Sequence, residues 1–171
     1  TLQEIHPQQR VGVLYNSREV GSVRQLEELR RAARQMNIAL LEGNAGTPTM
    51  VETATSALLG KVDSLIITDS SVVCRQFDRI VARCRTARVA TATTLPDGAA
   101  RGALISLEVS PAEQGQVGGQ LVLRLLQGAR PAQLGITQPR KIEMVLNLKV
   151  AQELELSVPF QVLGMVTRVL K

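Results

Sequence analysis

Short, mostly apolar runs alternate along the chain with longer stretches in which apolar residues recur every three or four positions. The short runs are RVGVLYN (10–16), IALLEG (38–43), DSLIITD (63–69), ARVATATT (87–94) and RGALISLEV (101–109). They are bounded by turn residues and read as strands. Between them, Val23, Leu26, Leu29, Ala33 and Met36 keep helical spacing, as do Val51, Ala54 and Leu58, and then Val73, Phe77, Ile80 and Cys84. Ser22 with Gln25 and Thr49 with Glu52 read as capping boxes, and Gly60 as a helix stop. Strands that are apolar on both faces and separated by helices indicate a parallel sheet covered on both sides. The expected fold class is therefore α/β, a doubly wound parallel sheet. The right-handed crossover rule leaves few topologies, of which the flavodoxin-like order 2-1-3-4-5 is favoured.

The pattern changes after residue 109. Ser110-Pro111-Ala112-Glu113 combines an N-cap, a proline at the first helical position and a capping acid, and Gly128 ends the helix that follows. Gly115, Gly118 and Gly119 fall inside that helix, where each costs about 1 kcal/mol relative to alanine. Such a cost points to close packing against another element. Residues 129–139 read as a loop, 141–148 as one more strand, VAQELEL as a short helix, and the rest as an apolar tail. Residues 1–9 are polar and read as a lead-in, which leaves 10–171 as a single α/β unit.

Composition narrows the function classes. A chain of 171 residues suits one domain or one lobe of something larger. No apolar run is long enough to span a bilayer. With no Trp, one Tyr and two Phe, the core is aliphatic. The net charge of +5 comes mainly from arginines spread along helices. They are accompanied by no zinc spacing, stacking aromatics or basic tail, so nucleic-acid binding is not the expected role. Cys74 and Cys84 fall in one predicted helix, about 15 Å apart along its axis, which excludes a disulfide between them there. They read as small buried apolar side chains. The single histidine, His6, reads as solvated, and one His without a CxxC leaves too few ligands for a metal. The chain starts at Thr1 with neither Met nor a signal peptide. This suggests a processed or trimmed chain and leaves its compartment unread.

In open α/β sheets ligands sit beyond the carboxyl ends of the strands, near the switch point in strand order. Here those ends carry Asn16 and Ser17, then Thr68, Asp69, Ser70 and Ser71, then Thr93 and Thr94, and Glu108. Helix starts at Ser22 and near Ser70 are placed to aim N–H groups at an anion such as a carboxylate. Asp69 is suited to pair with an ammonium, so the set suits a zwitterion such as an amino acid. Each of these residues has a second reading, because Asp, Ser and Thr also cap helices. No GxSxG, P-loop or GxGxxG occurs, GQVGGQ (115–120) lies inside a helix, and the cysteines are mid-helix. No catalysis and no cofactor are expected. A phosphoacceptor site would need an acidic cluster where the first strand instead ends LYNS.

RVGVLYN, QLEELRRAARQMNIAL, LLGKVDSLIITDSSVV, RGALISLEVSPAEQGQ and PRKIEMVLNLKVAQELEL occur together in this order. As a set they resemble the second half of ABC transporter substrate-binding proteins of the tryptophan/tyrosine-binding group, over roughly residues 10–165. The resemblance implies one lobe of a type I periplasmic-binding-protein fold, with a small-molecule solute and an ABC permease as partners. It implies a periplasmic, exported or lipid-anchored location. The ligand-facing positions it implies are Asn16, Ser17 and Ser22, then Thr68, Asp69 and Ser70, and Thr93. The family tends to place Pro after the first-strand Asn, where Ser17 stands. It often carries an acid near Thr93 or Thr94, and aromatics where Pro111 and Ala112 lie. The resemblance also sets the 111–128 helix against a lobe that this chain does not contain. Uncovered, that helix would expose Val117, Leu121 and Leu125, so it is expected to pack on such a lobe or on a partner chain, giving a homo-oligomer. The alternative reading is a stand-alone, non-catalytic protein-interaction domain that keeps the fold without binding a ligand.

Overall fold

A computed structural model describes residues 2–5 and 10–171. The reading of His6 lies outside the described residues, as do positions 1 and 6–9 of the lead-in. Seven strands form one sheet: β1 (Arg10–Tyr15), β2 (Ala39–Asn44), β3 (Ser64–Ile67), β4 (Ala90–Thr93), β5 (Ile105–Val109), β6 (Ile142–Asn147) and β7 (Arg168–Leu170). Their order is β2-β1-β3-β4-β5-β6-β7. The first five are parallel, in the order expected. β6 runs antiparallel to β5, and β7, hidden in the apolar tail, adds a parallel edge to β6. β5 pairs with β4 only at Ile105 and Ser106. It then continues with β6 past the level at which β3 and β4 end.

Helices α1 (Leu2–Ile5), α2 (Val20–Gln35), α3 (Pro48–Leu58), α4 (Ser71–Cys74), α5 (Phe77–Thr86), α6 (Pro111–Leu126), α7 (Leu148–Glu153) and α8 (Phe160–Met165) complete the chain. One core joins α3, α4 and α5 to the sheet through Leu14, Leu65, Ile67, Val51, Val73, Phe77 and Ile80. The other joins α1, α7 and α8 through Ile5, Ala90, Ile105, Leu146, Val150 and Val162. Ile5 is therefore buried core rather than lead-in. The helix expected between Val73 and Cys84 is two, broken at Arg75-Gln76, so the cysteines sit on different helices. Both thiols are free. Burial pushes Cys84 up to about 12 and also raises Cys74.

Two cap assignments shift. α2 begins at Val20 behind Glu19, so Ser22 lies inside the first turn. α3 is capped by Thr47, whose hydroxyl accepts from Met50 N–H at 3.3 Å, not by Thr49. The Ser110 cap of α6 stands, accepting from Glu113 N–H at 3.3 Å, and Gly128 ends the helix at φ +95°. α6 itself buries no residue. Apart from the backbone of α6 itself, nothing in the described chain lies within 4 Å of a Cβ placed on Gly115, Gly118 or Gly119. Of the three residues expected in solvent only Leu125 is exposed, Val117 and Leu121 being half-buried in a hollow that Thr137, Gln138 and Pro139 also line; Val122 is 54% exposed and Leu126 81%. The close partner those glycines suggested is therefore not supplied by the described residues.

Candidate functional site

β1, β3 and β4 are neighbours in the sheet and parallel, so their carboxyl ends stand side by side. Each predicted residue is found at this edge, and the hydrogen bonds separate two groups. In the first group the hydroxyls are spent on the framework. Thr68 Oγ1 donates to the Leu14 carbonyl at 2.8 Å, so the 2.6 Å contact with Ser22 Oγ must carry the Ser22 proton. Ser22 Oγ in turn accepts from the Asn16 backbone N–H at 2.9 Å. Both residues are buried, and this chain of bonds ties β1, α2 and β3 together. Thr93 Oγ1 donates to the Ile67 carbonyl at 3.0 Å and accepts from Leu95 N–H at 3.1 Å. The loop after β4 folds back onto it so closely that a Cβ on Gly98 would come 2.3 Å from Thr93 Cγ2.

The second group lines the edge itself. Asn16, only 2% exposed, accepts from Arg18 N–H at 3.0 Å in an Asx turn and donates Nδ2 to Glu19 at 2.9 Å. Ser17 is exposed and pairs reciprocally with Asn44: its N–H meets Asn44 Oδ1 at 3.2 Å, and its Oγ accepts from Asn44 Nδ2 at 3.0 Å. Ser70 is buried and caps α4, its Oγ accepting from Val73 N–H at 3.5 Å. With that role filled, the Asp69 side chain stays exposed at the edge, with the Cys74 thiol 3.9 Å from one carboxylate oxygen.

Sequence reasoning missed two residues that organise this edge. The Glu19 carboxylate accepts from the Ser71 hydroxyl at 2.7 Å, from Ser71 N–H at 3.0 Å and from Asn16 Nδ2. These bonds, the Ser71 hydroxyl foremost, hold its carboxyl below the usual range. The acceptor near the α4 start is therefore the chain's own acid, where the reading from sequence placed a ligand's carboxylate. An Asn16-x-x-Glu19 spacing was the available signal. Gln25 is the second. Its Oε1 accepts from Asp69 N–H at 2.8 Å, and its Nε2 donates to Thr94 Oγ1 at 3.2 Å, so it crosses from α2 to the ends of β3 and β4. Glu108 is buried and accepts from Ser106 Oγ and, at 3.0 Å, from Arg168.

Gln25 also lines an apolar groove of about 380 Å³, open to solvent on one side, between α2 and strands β3 to β6. Its floor and walls include Leu29, Ile66, Ala92, Ile105, Leu107 and Met144, while Thr68, Thr93 and Thr94 line its edge toward the strand ends. Among the described residues no cluster of His, Cys, Asp and Glu is arranged to hold a metal, and no helix is long and apolar enough to cross a membrane.

Residues 2–170 match the family profile of ABC transporter substrate binding proteins. A tyrosine-binding protein of Clostridioides difficile (strain R20291) is 23% identical over 138 residues, 81% of this chain and 40% of that protein. A conserved domain protein from Vibrio cholerae O1 biovar El Tor superposes with a TM-score of 0.92 at 25% identity, over 98% of this chain and 57% of that one. An ABC domain from Streptococcus pneumonia, solved in complex with L-Trp, gives a TM-score of 0.92 at 22% identity, over 99% of this chain and 58% of that one. The chain thus spans between two fifths and three fifths of the length of these relatives.

Proposed function

The chain belongs to the family of ABC transporter substrate binding proteins, and from that premise we propose that it is one lobe of a solute receptor. The lobe grips a small solute at the carboxyl ends of β1, β3 and β4 and serves an ABC permease. An amino acid is the solute class that this reading favours. The curated relative is a tyrosine-binding protein, and one structural neighbour was solved with L-Trp. The family also supports an exported or lipid-anchored setting for the whole protein.

The observation that carries the reading is Asp69. Ser70 does the capping, so a carboxylate is held at the exposed tip of a buried strand without a structural task that needs its charge. In this reading it pairs with the solute's ammonium, while Ser17 offers a polar contact from the neighbouring loop, whose shape the buried Asn16 sets through its bonds to Arg18 N–H and Glu19. Ser22, Thr68 and Thr93, whose hydroxyls are committed internally, set the spacing of the loops rather than touch the solute. One lobe encloses only part of a ligand, so affinity is weak without a facing surface. A thermal-shift series against amino acids and other small solutes at millimolar concentration tests the proposal. A raised melting temperature with at least one amino acid is the expected result, and no shift with any of them overturns it.

The unpartnered face of α6 favours a second, compatible reading, in which the chain also presents an interaction surface. Self-association through α6 is its expected form, because Val122 and Leu126 stand in solvent beside three glycines that meet nothing.

A further inference from the structure

We propose that Arg168 is a pin: its ion pair with Glu108 fixes the ribbon formed by β5 and β6, and with it α6. Breaking the pair frees ribbon and helix to move as one arm. The pin is independent of solute binding. Glu108 lies near the end of β5, and the candidate site makes no use of it. Its side chain is 8% exposed and meets Arg168 Nη2 at 3.0 Å. A buried carboxylate is tolerated where it is paired and hydrogen-bonded. Here Arg168 supplies the charge and the Ser106 hydroxyl a hydrogen bond. Glu143 stands directly opposite Glu108 in the antiparallel register, so two carboxylates face each other across the ribbon. Like charges so placed repel, and the guanidinium offsets that repulsion.

Little else in the described chain holds the ribbon. Past Ser106, β5 keeps β6 as its sheet neighbour and leaves β4 behind. One face of this extension is apolar, with Leu107 opposite Met144 and Val109 opposite Ile142. Leu107 and Ile142 are exposed, so packing fixes that face weakly. α6, which follows at the ribbon's far end, buries no residue. Arg168 stands beside Val145 on β7 and reaches across β6 to Glu108, which places the tie at the root of the arm. From Glu108 the tie continues through Ser106, whose Oγ accepts from Ala99 N–H at 3.1 Å, into the loop after β4. The Arg168 side chain is itself 45% exposed, so water solvates the guanidinium once it lets go. Pinned and released arrangements therefore differ by one ion pair and little buried area.

The test is the distance between spin labels on Gln120→Cys of α6 and Arg34→Cys of α2, both exposed positions, by pulsed electron resonance. Cys74→Ser removes the half-buried thiol, and dilution with unlabelled chain excludes distances between copies. In the labelled parent the released arm is a minor population, about 10% or less, and one distance dominates. The expected result in Arg168→Met, and in Glu108→Gln, is a second, displaced distance that becomes the larger population. The double variant goes no further than either single one, since both remove the same tie. A general loss of stability lowers the melting temperature but leaves the distance in the folded chain unmoved. A distribution unchanged in the two single variants overturns the pin, as does a parent in which the displaced distance already dominates. Should Arg168→Met strand its buried carboxylate and fail to fold, Glu108→Gln and the double variant, which bury no such charge, read the same distance.

Discussion

Ser71 gives its hydroxyl, at 2.7 Å, and its backbone N–H, at 3.0 Å, to the carboxylate of Glu19, 52 residues earlier in the chain. Glu19 stands just before α2 and Ser71 opens α4, so the contact latches the loop after β1 onto the loop after β3. These loops carry Ser17 and Asp69. Their relative placement, and with it the candidate site, depends on an acid that belongs to neither strand.

Glu19→Gln is expected to cost about 1 kcal/mol, toward the low end for hydrogen bonds to a charged group because the side chain is partly solvated. The pH dependence has a definite sign. The folded state holds the Glu19 carboxyl below its ordinary value, so the latch contributes fully above the unfolded value, about 4.3. It is lost as pH falls through the lower folded value. Urea denaturation at pH 7 and again below pH 4 checks this, since the gap between the chain and Glu19→Gln should shrink in acid. A constant gap sinks the assignment.

Thr68→Val keeps the shape of the side chain and removes the hydroxyl that joins Ser22 to Leu14. It leaves the buried Ser22 proton without its acceptor, for a cost of about 1–3 kcal/mol. Thr68→Ser keeps the bond and should recover most of that. Equal losses in the two variants, measured by chemical denaturation, would show that the methyl group rather than the hydrogen-bond chain matters at this position.

Most of the sheet was legible because Leu65, Ile66 and Ile67 of β3, and Val11, Val13 and Leu14 of β1, are apolar on both faces, as in a parallel strand covered on both sides. What was not legible depended on partners distant in sequence. β7 is three residues long with two of them exposed, so RVL carries no strand signal until β6 lies beside it. Ser22 looked like a cap because its own neighbours suit one, and nothing local reveals that Thr68 claims its hydroxyl from 46 residues away. The composition of the strand ends was read correctly. Which of their oxygens are already occupied is a property of the assembled edge.

Gly98→Ala should destabilise the loop after β4 by about 1–3 kcal/mol through overpacking, because the added Cβ meets Thr93 Cγ2 at 2.3 Å. Thr93→Ser removes that methyl and keeps the hydroxyl. The cost of Gly98→Ala should therefore be smaller in the Thr93→Ser background, a coupling that a double-mutant cycle reads directly. Strict additivity would place the clash elsewhere, with the Leu95 carbonyl at 3.0 Å as the next candidate.

Exposure of Val122 and Leu126 on α6 leads to an expectation of concentration-dependent self-association at micromolar chain concentration. Leu126→Lys places a charge at the C-terminal end of that face and should shift the sedimentation profile toward monomer without lowering the melting temperature, since the side chain is 81% exposed within the described chain. A chain that already sediments as a monomer refutes association through α6.

Asp69→Ala separates the two roles an acid can have at this strand tip. Ser70, not Asp69, receives the Val73 N–H and caps α4, so Ser70→Ala is expected to cost about 1 kcal/mol of stability. Asp69→Ala, at an exposed position, should change stability by less than about 0.5 kcal/mol. If Asp69 holds a solute's ammonium, its removal abolishes the amino-acid-dependent rise in melting temperature, and Asp69→Asn, which keeps the shape but not the charge, does the same. Asp69→Glu, keeping the charge on a longer arm, should retain part of the shift. An undiminished shift in Asp69→Ala would remove this carboxylate from the site and leave the Asn16–Ser17 loop as the remaining polar contact surface.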